Sequence, residues 1–119
     1  PHARLDVWRD AMDLVEAIYC FSSGFPADER FGLTAQLRRA AVSVPSNIAE
    51  GAARRSRKDY LRLLSIARGS LSECDTQIKI ATRLGLASEP SGMRELIDKL
   101  FARLTALIAK LEDAERTPP

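Results

Sequence analysis

Apolar residues recur along this chain at alternating spacings of four and three, interrupted by clusters of turn formers. Between positions 5 and 23, Val7, Ala11, Leu14, Ile18 and Phe21 fall on one stripe, with Trp8, Met12, Val15 and Tyr19 beside it. A stripe of that period predicts an amphipathic helix over 5–23. Segment 24–32 then mixes Gly24, Pro26 and Gly32 with charges and reads as a loop, its Phe25 and Phe31 expected to cover the end of the core. The pattern resumes over 33–54, with Leu33, Leu37, Ala40, Ala41, Val44 and Ile48 inward. Pro45 lacks an amide donor and crowds the carbonyl of Ala41, so a kink or a restart through Ser46 and Asn47 is expected.

Ser56 followed by Asp59 fits a variant of the capping box and starts a third helix, 57–84. Its seam is Tyr60, Leu64, Ala67, Leu71, Cys74, Ile78 and Ala81, and Gly85 is the stop signal. After Ser88, Glu89, Pro90 and Ser91, a fourth helix over 90–114 keeps Met93, Ile97, Leu100, Leu104, Leu107 and Leu111 on one side. Thr117, Pro118 and Pro119 are expected to fray. Four helices joined by short connections predict an all-α, antiparallel up-down-up-down bundle with 1–119 as one domain. Helices one and four carry apolar residues beyond one seam, Trp8, Met12, Val15, Leu96 and Ile108. That surplus predicts burial against another subunit.

Composition agrees with this pattern: 45% apolar, 29% charged and only six glycines. No apolar run approaches the roughly 20 residues that cross a bilayer, and no basic-then-apolar leader opens the chain, so a cytoplasmic protein without membrane contact is expected. The chain opens on Pro1 and His2 without a methionine, which points to a trimmed start. Cys20 and Cys74 have no CxxC spacing and are expected in the core as small hydrophobes.

Catalytic classes fare poorly. His2 is the only histidine, which removes the ExxH pairs of di-iron bundles and the base of a nucleophilic triad. No glycine-rich phosphate loop is present. A protein that is not an enzyme, without metal or cofactor, is expected.

Charge is unevenly placed. Residues 1–29 hold two basic against six acidic side chains, a balance of −4, whereas residues 38–68 hold eight against two, a balance of +6. The positive segment contributes Arg38, Arg39, Arg54, Arg55, Arg57, Lys58 and Arg62. Arg54 and Arg55 near the end of helix two offset the negative end of its dipole. Arg57 and Lys58 in the first turn of helix three face a positive end, at a cost of about 0.3–1 kcal/mol each. A cluster kept there points to an external anion, with the phosphates of RNA or DNA foremost. Two alternatives stay open: a solvated turn, or ion pairs between subunits that engage Asp6, Asp10 and Asp13, which repel one another along one edge of helix one.

The run 36–51, with Ser43, Asn47, Ile48, Ala49, Glu50 and Gly51, resembles the signature of the four-helix-bundle family encoded in intervening sequences of bacterial 23S rRNA. Tyr60-Leu61 and the block 66–73 resemble the family's second motif, and the start Leu5-xx-Trp8 is also similar. The resemblance implies a bacterial protein forming a ring-like homopentamer. Similarity to the accessory protein of diversity-generating retroelements implies binding of nucleic acid and of a reverse transcriptase. The motif residues have a structural reading. Asn47 bonds backbone groups freed by Pro45, Glu50 pairs with an arginine, Gly51 lets helices approach, and Ser70 and Glu73 complete a buried polar network. In the functional reading they form part of a partner-binding site. The leading expectation is an oligomeric nucleic-acid-binding or adaptor protein, the alternative a purely structural protein–protein interaction module.

Overall fold

The computed structural model describes residues 2–116, with side chains through Ala114. The expected tail 117–119 lies outside the described residues. Four α-helices follow in order, α1 Ala3–Ser22, α2 Leu33–Ala53, α3 Arg57–Arg83 and α4 Met93–Arg116, with a short 3-10 turn Ala27–Glu29 between the first two. Each helix packs on its sequence neighbours, and α1 closes the bundle against α4.

Side-chain pairings set the directions. Arg38 of α2 reaches Ser22 at the end of α1, Ser43 meets Ser70 across α2 and α3, Arg94 of α4 reaches Asp75 of α3, and Arg103 of α4 reaches Asp10 of α1. Early residues of each helix therefore face late residues of its neighbour, an antiparallel four-helix bundle of 55 × 25 × 19 Å. One end of the bundle gathers the start of α1, the α2–α3 turn and the end of α4.

The core is the four-three pattern turned inward. Leu14 and Ile18 from α1, Leu37, Val44 and Ile48 from α2, Leu64, Leu71 and Ile78 from α3, and Ile97, Leu100 and Leu104 from α4 are essentially inaccessible. Helix α3 stops where Gly85 takes φ +74°, and Leu86 and Gly85 donate to the carbonyls of Ala81 and Thr82. This Schellman arrangement satisfies carbonyls that the helix end would leave free. At its start, the Asp59 amide donates to Ser56 Oγ at 3.2 Å, half of the expected capping box; the Asp59 carboxylate instead faces Arg62 at 3.7 Å.

Several expectations need correction. Helix α2 runs unbroken through Pro45, which is itself buried, so there is no restart at Ser46. Helix α4 begins at Met93, three residues beyond Pro90, because Gly92 at φ +88° turns the chain just before it. Ile108 is core rather than surplus, since α4 turns a wider face to the bundle than one seam. Phe25 packs edge-on against Phe21, whereas Phe31 is 86% exposed and lies under the Arg30 guanidinium. Asp10 is buried and bound within the chain, to Arg103 at 2.6 Å and Lys99 at 3.4 Å, which removes it from the edge proposed for a neighbouring subunit.

The two thiols differ as well: Cys74 is buried and Cys20 is exposed, because position 20 falls between the core residues Ile18 and Phe21. Burial, with the neighbouring Glu73 carboxylate, pushes the Cys74 thiol up to about 12. Thiolate is the reactive species. Iodoacetamide should therefore label Cys20 alone in the native protein and both cysteines in denaturant, as mass spectrometry of the digested protein would show. Equal native labelling of Cys74 would contradict its burial.

Candidate functional site

Three residues, 54–56, connect α2 to α3. Arg54 is extended (φ −77°, ψ 149°) and its amide donates to the Gly51 carbonyl, which ends the helix and turns the chain outward. Its guanidinium grips Glu50 one turn back, and that hydrogen bond and charge raise the Arg54 pKa above the ordinary arginine value. Glu50 thus pairs with an arginine, and Arg54 is the partnered cation of the turn. Arg55, Arg57 and Lys58 are exposed and make no ion pair among the described residues. Arg57 and Lys58 stand in the first turn of α3, where the macrodipole opposes cations, and Arg55 lies between the helix ends, just beyond the end of α2.

The other expected basic residues stand apart. Sixteen residues separate Arg38 from Arg54, about 24 Å along a helix. Arg38 is committed within the chain: its Nε donates to Ser22 Oγ at 2.8 Å, and its guanidinium lies 4.5 Å from the Tyr19 ring centre. Arg39 is exposed and lines a shallow polar cleft of about 220 Å³ with Gln36, Ser43, Ser70 and Glu73. Arg62 lies one turn into α3 in its loose pair with Asp59. The seven cations therefore form one turn-end cluster and a separate pair on α2.

Two further cations, Arg4 and Lys110, lie at the same end as the turn, lining one pocket with Tyr60. Inspection of the linear sequence missed them because they are far from 54–58 in the chain. The antiparallel topology was the available signal, since it brings the first turn of α1 and the last turns of α4 beside the α2–α3 turn.

The motif polar groups form a smaller network than expected. Ser43 Oγ and Ser70 Oγ are 2.8 Å apart, and Asn47 Nδ2 donates to Ser43 Oγ at 2.9 Å and to the Ser43 carbonyl at 2.8 Å. Asn47 does not reach the Ala41 carbonyl that Pro45 leaves without its helical donor; its side chain lies one turn back along its own face, over Ser43. Glu50 and Glu73 are outside this network: Glu50 holds Arg54, and Glu73 accepts from Gln77 at 3.2 Å. In the sequence Ser43 stands out only as part of the motif run, yet its hydroxyl joins the two helices.

Gly51 marks the close approach of α2 and α3. A Cβ there would lie 2.8 Å from Tyr60 Cδ1 and 3.2 Å from Leu63 Cβ. Alanine raises helix propensity by about 1 kcal/mol, but overpacking costs about 1–3 kcal/mol, and here it meets a ring and a Cβ rather than a flexible tip. Gly51→Ala should therefore lower the melting temperature in calorimetry. A rise would show that the helices can part without penalty.

The family model described as 23S rRNA-intervening sequence protein matches residues 3–110. The chain belongs to this family. The match spans α1 to most of α4, so the basic turn, Gly51 and the Ser43–Asn47–Ser70 network all lie inside the family domain. No curated protein matches the chain. Among the described residues of this family member, no group of three His, Cys, Asp and Glu side chains is placed to hold a metal ion, and no helix is long and apolar enough to cross a membrane.

Proposed function

We propose that this chain is a non-enzymatic, cytoplasmic protein that assembles with copies of itself and binds RNA or DNA through the phosphate backbone. The observation that carries the reading is the group Arg55, Arg57 and Lys58, exposed and without an ion-pair partner among the described residues, with Arg57 and Lys58 at a helix start that disfavours cations. A polyanion placed there removes mutual repulsion and releases its counterions, and phosphate contacts of this kind carry little sequence information. Titration of a fluorescent RNA duplex by anisotropy tests it. Binding that weakens steeply with salt is the expected result, and absence of binding at low salt would refute the reading.

Self-assembly is supported by two adjoining apolar clefts between α1 and α2. One is lined by Leu5, Trp8 and Ala52 among others, the other by Met12, Val15, Val42 and Pro45, and both touch Trp8 and Ala49. Leu5, Met12 and Val42 are each at least 40% exposed. A ring of five, as the family resemblance implies, should scatter light as about five times 13.1 kDa. A monomer at micromolar concentration would overturn the assembly reading, and a dimer would overturn the count. The same clefts favour the second reading, an interaction module without nucleic acid, which RNA titration separates from the first. The resemblance to retroelement accessory proteins makes a reverse transcriptase the first protein partner to test.

A further inference from the structure

Tyr60 lies in the first turn of α3 with its ring against the backbone of Gly51. Its hydroxyl is buried and finds no acceptor among the described residues; its polar neighbour is the Arg4 guanidinium, which can only donate to it. A buried donor left unpaired is costly, so its environment calls for an explanation. The ring borders a pocket of about 190 Å³ whose other walls are Ala3, Arg4, Leu107, Lys110 and Leu111. Neither Arg4 nor Lys110 makes an ion pair among the described residues. Ala3 opens α1, and no side chain caps that helix start, so its first amides and the positive end of its dipole border the pocket too.

We propose that this pocket is a phosphoryl-binding site, in which Arg4 and Lys110 supply the charge and the Tyr60 hydroxyl donates to a phosphate oxygen. Every polar side chain lining it is a donor, which suits an anion with several acceptor oxygens. Burial raises the Tyr60 pKa, and the charge of Arg4 and its hydrogen bond to the phenol oxygen oppose this more weakly, so the hydroxyl stays protonated and able to donate at neutral pH. Leu107 and Leu111 shield one side from water, which strengthens charge interactions. The pocket is smaller than the roughly 300–1,000 Å³ of sites for drug-sized ligands, so it takes a phosphate group rather than a whole organic molecule. The proposal rests on the nucleic-acid reading only for one possible source of the phosphate, the backbone diester; the other is a terminal or free monoester.

The test is a titration of the full chain with inorganic phosphate at constant ionic strength, followed by the NMR amide signals of Arg4, Tyr60 and Leu111. Saturable shifts are expected in the parent. Tyr60→Phe keeps the ring against Gly51 and should weaken binding by about 10- to 100-fold, the value of a hydrogen bond to a charged group. Lys110→Gln, exposed and outside the core, should weaken it as well and serves if the Tyr60 variant does not fold. The variant Arg55→Gln/Arg57→Gln/Lys58→Gln should bind phosphate as the parent does, so failure of the turn in RNA titrations is seen separately from failure of the pocket. Competition by an RNA strand without terminal phosphate would identify the diester as the source, and competition only by its 5′-phosphorylated form the monoester. Unsaturable shifts in the parent, or equal affinity in Tyr60→Phe and Lys110→Gln, would overturn the site.

Discussion

Leu104→Ala is expected to destabilise the protein by about 2–5 kcal/mol, through the lost transfer energy of the side chain and the cavity it leaves. Leu104 is fully buried near the middle of the α4 seam, between Leu100 and Leu107. Domains of this kind are stable by only about 5–15 kcal/mol, so the variant should melt on the order of 10 °C lower, in calorimetry at a fixed protein concentration. Leu84 provides the control. It is 65% exposed, and Leu84→Ala should change stability by no more than about 0.5 kcal/mol. Equal melting temperatures for the two variants would show that the four-three seam of α4 is not core.

That seam was legible in the sequence because burial in a bundle follows directly from helical periodicity. The inward stripes of α1, α3 and α4, the Ser56 start and the Gly85 stop all rest on local chemistry that a linear reading can see. What could not be read depended on packing across helices. Cys20 and Ile108 exchange their expected places because the width of a buried face is set by neighbouring helices and not by the helix itself. Asp10 looked like part of an acidic edge, but α4 brings Arg103 and Lys99 onto it from about ninety residues away in the chain. A proline in mid-helix normally argues for a break, yet α2 continues through Pro45 with the ring buried beside the α1 apolar residues.

The candidate site divides in the same way. Arg57 and Lys58 are adjacent, and their conflict with the dipole was visible from their place at a helix start, whereas Arg55 reads as a cation favourably placed after the end of α2. Arg38 appeared equivalent in the charge count, but its contacts with Ser22 and Tyr19 make it a clamp between α1 and α2. Glu50 and Glu73 shared a motif with Asn47 and Ser70 without sharing a hydrogen bond with them, because spacing in a motif does not determine which carboxylate turns inward.

If Arg55, Arg57 and Lys58 are instead held by a neighbouring subunit, replacing them should disperse the assembly in light scattering, with Asp6 and Asp13 as the partners to examine. Phosphate binding makes a different prediction. Each phosphate neutralised on duplex DNA contributes about −0.9 to the log–log slope of affinity against salt. Three contacts per subunit give about −2.7, so each fourfold rise in salt weakens the parent about 40-fold more than a variant lacking them. Arg54 stays unmodified because Glu50 already holds it.

The central claim is that these three cations meet nucleic-acid phosphates, and the salt slope of the parent beside that of Arg55→Gln/Arg57→Gln/Lys58→Gln tests it most directly. The account predicts an intact assembly whose slope is shallower by up to about 2.7 per engaged subunit, with weaker binding at low salt. Identical slopes and affinities in parent and variant would contradict it.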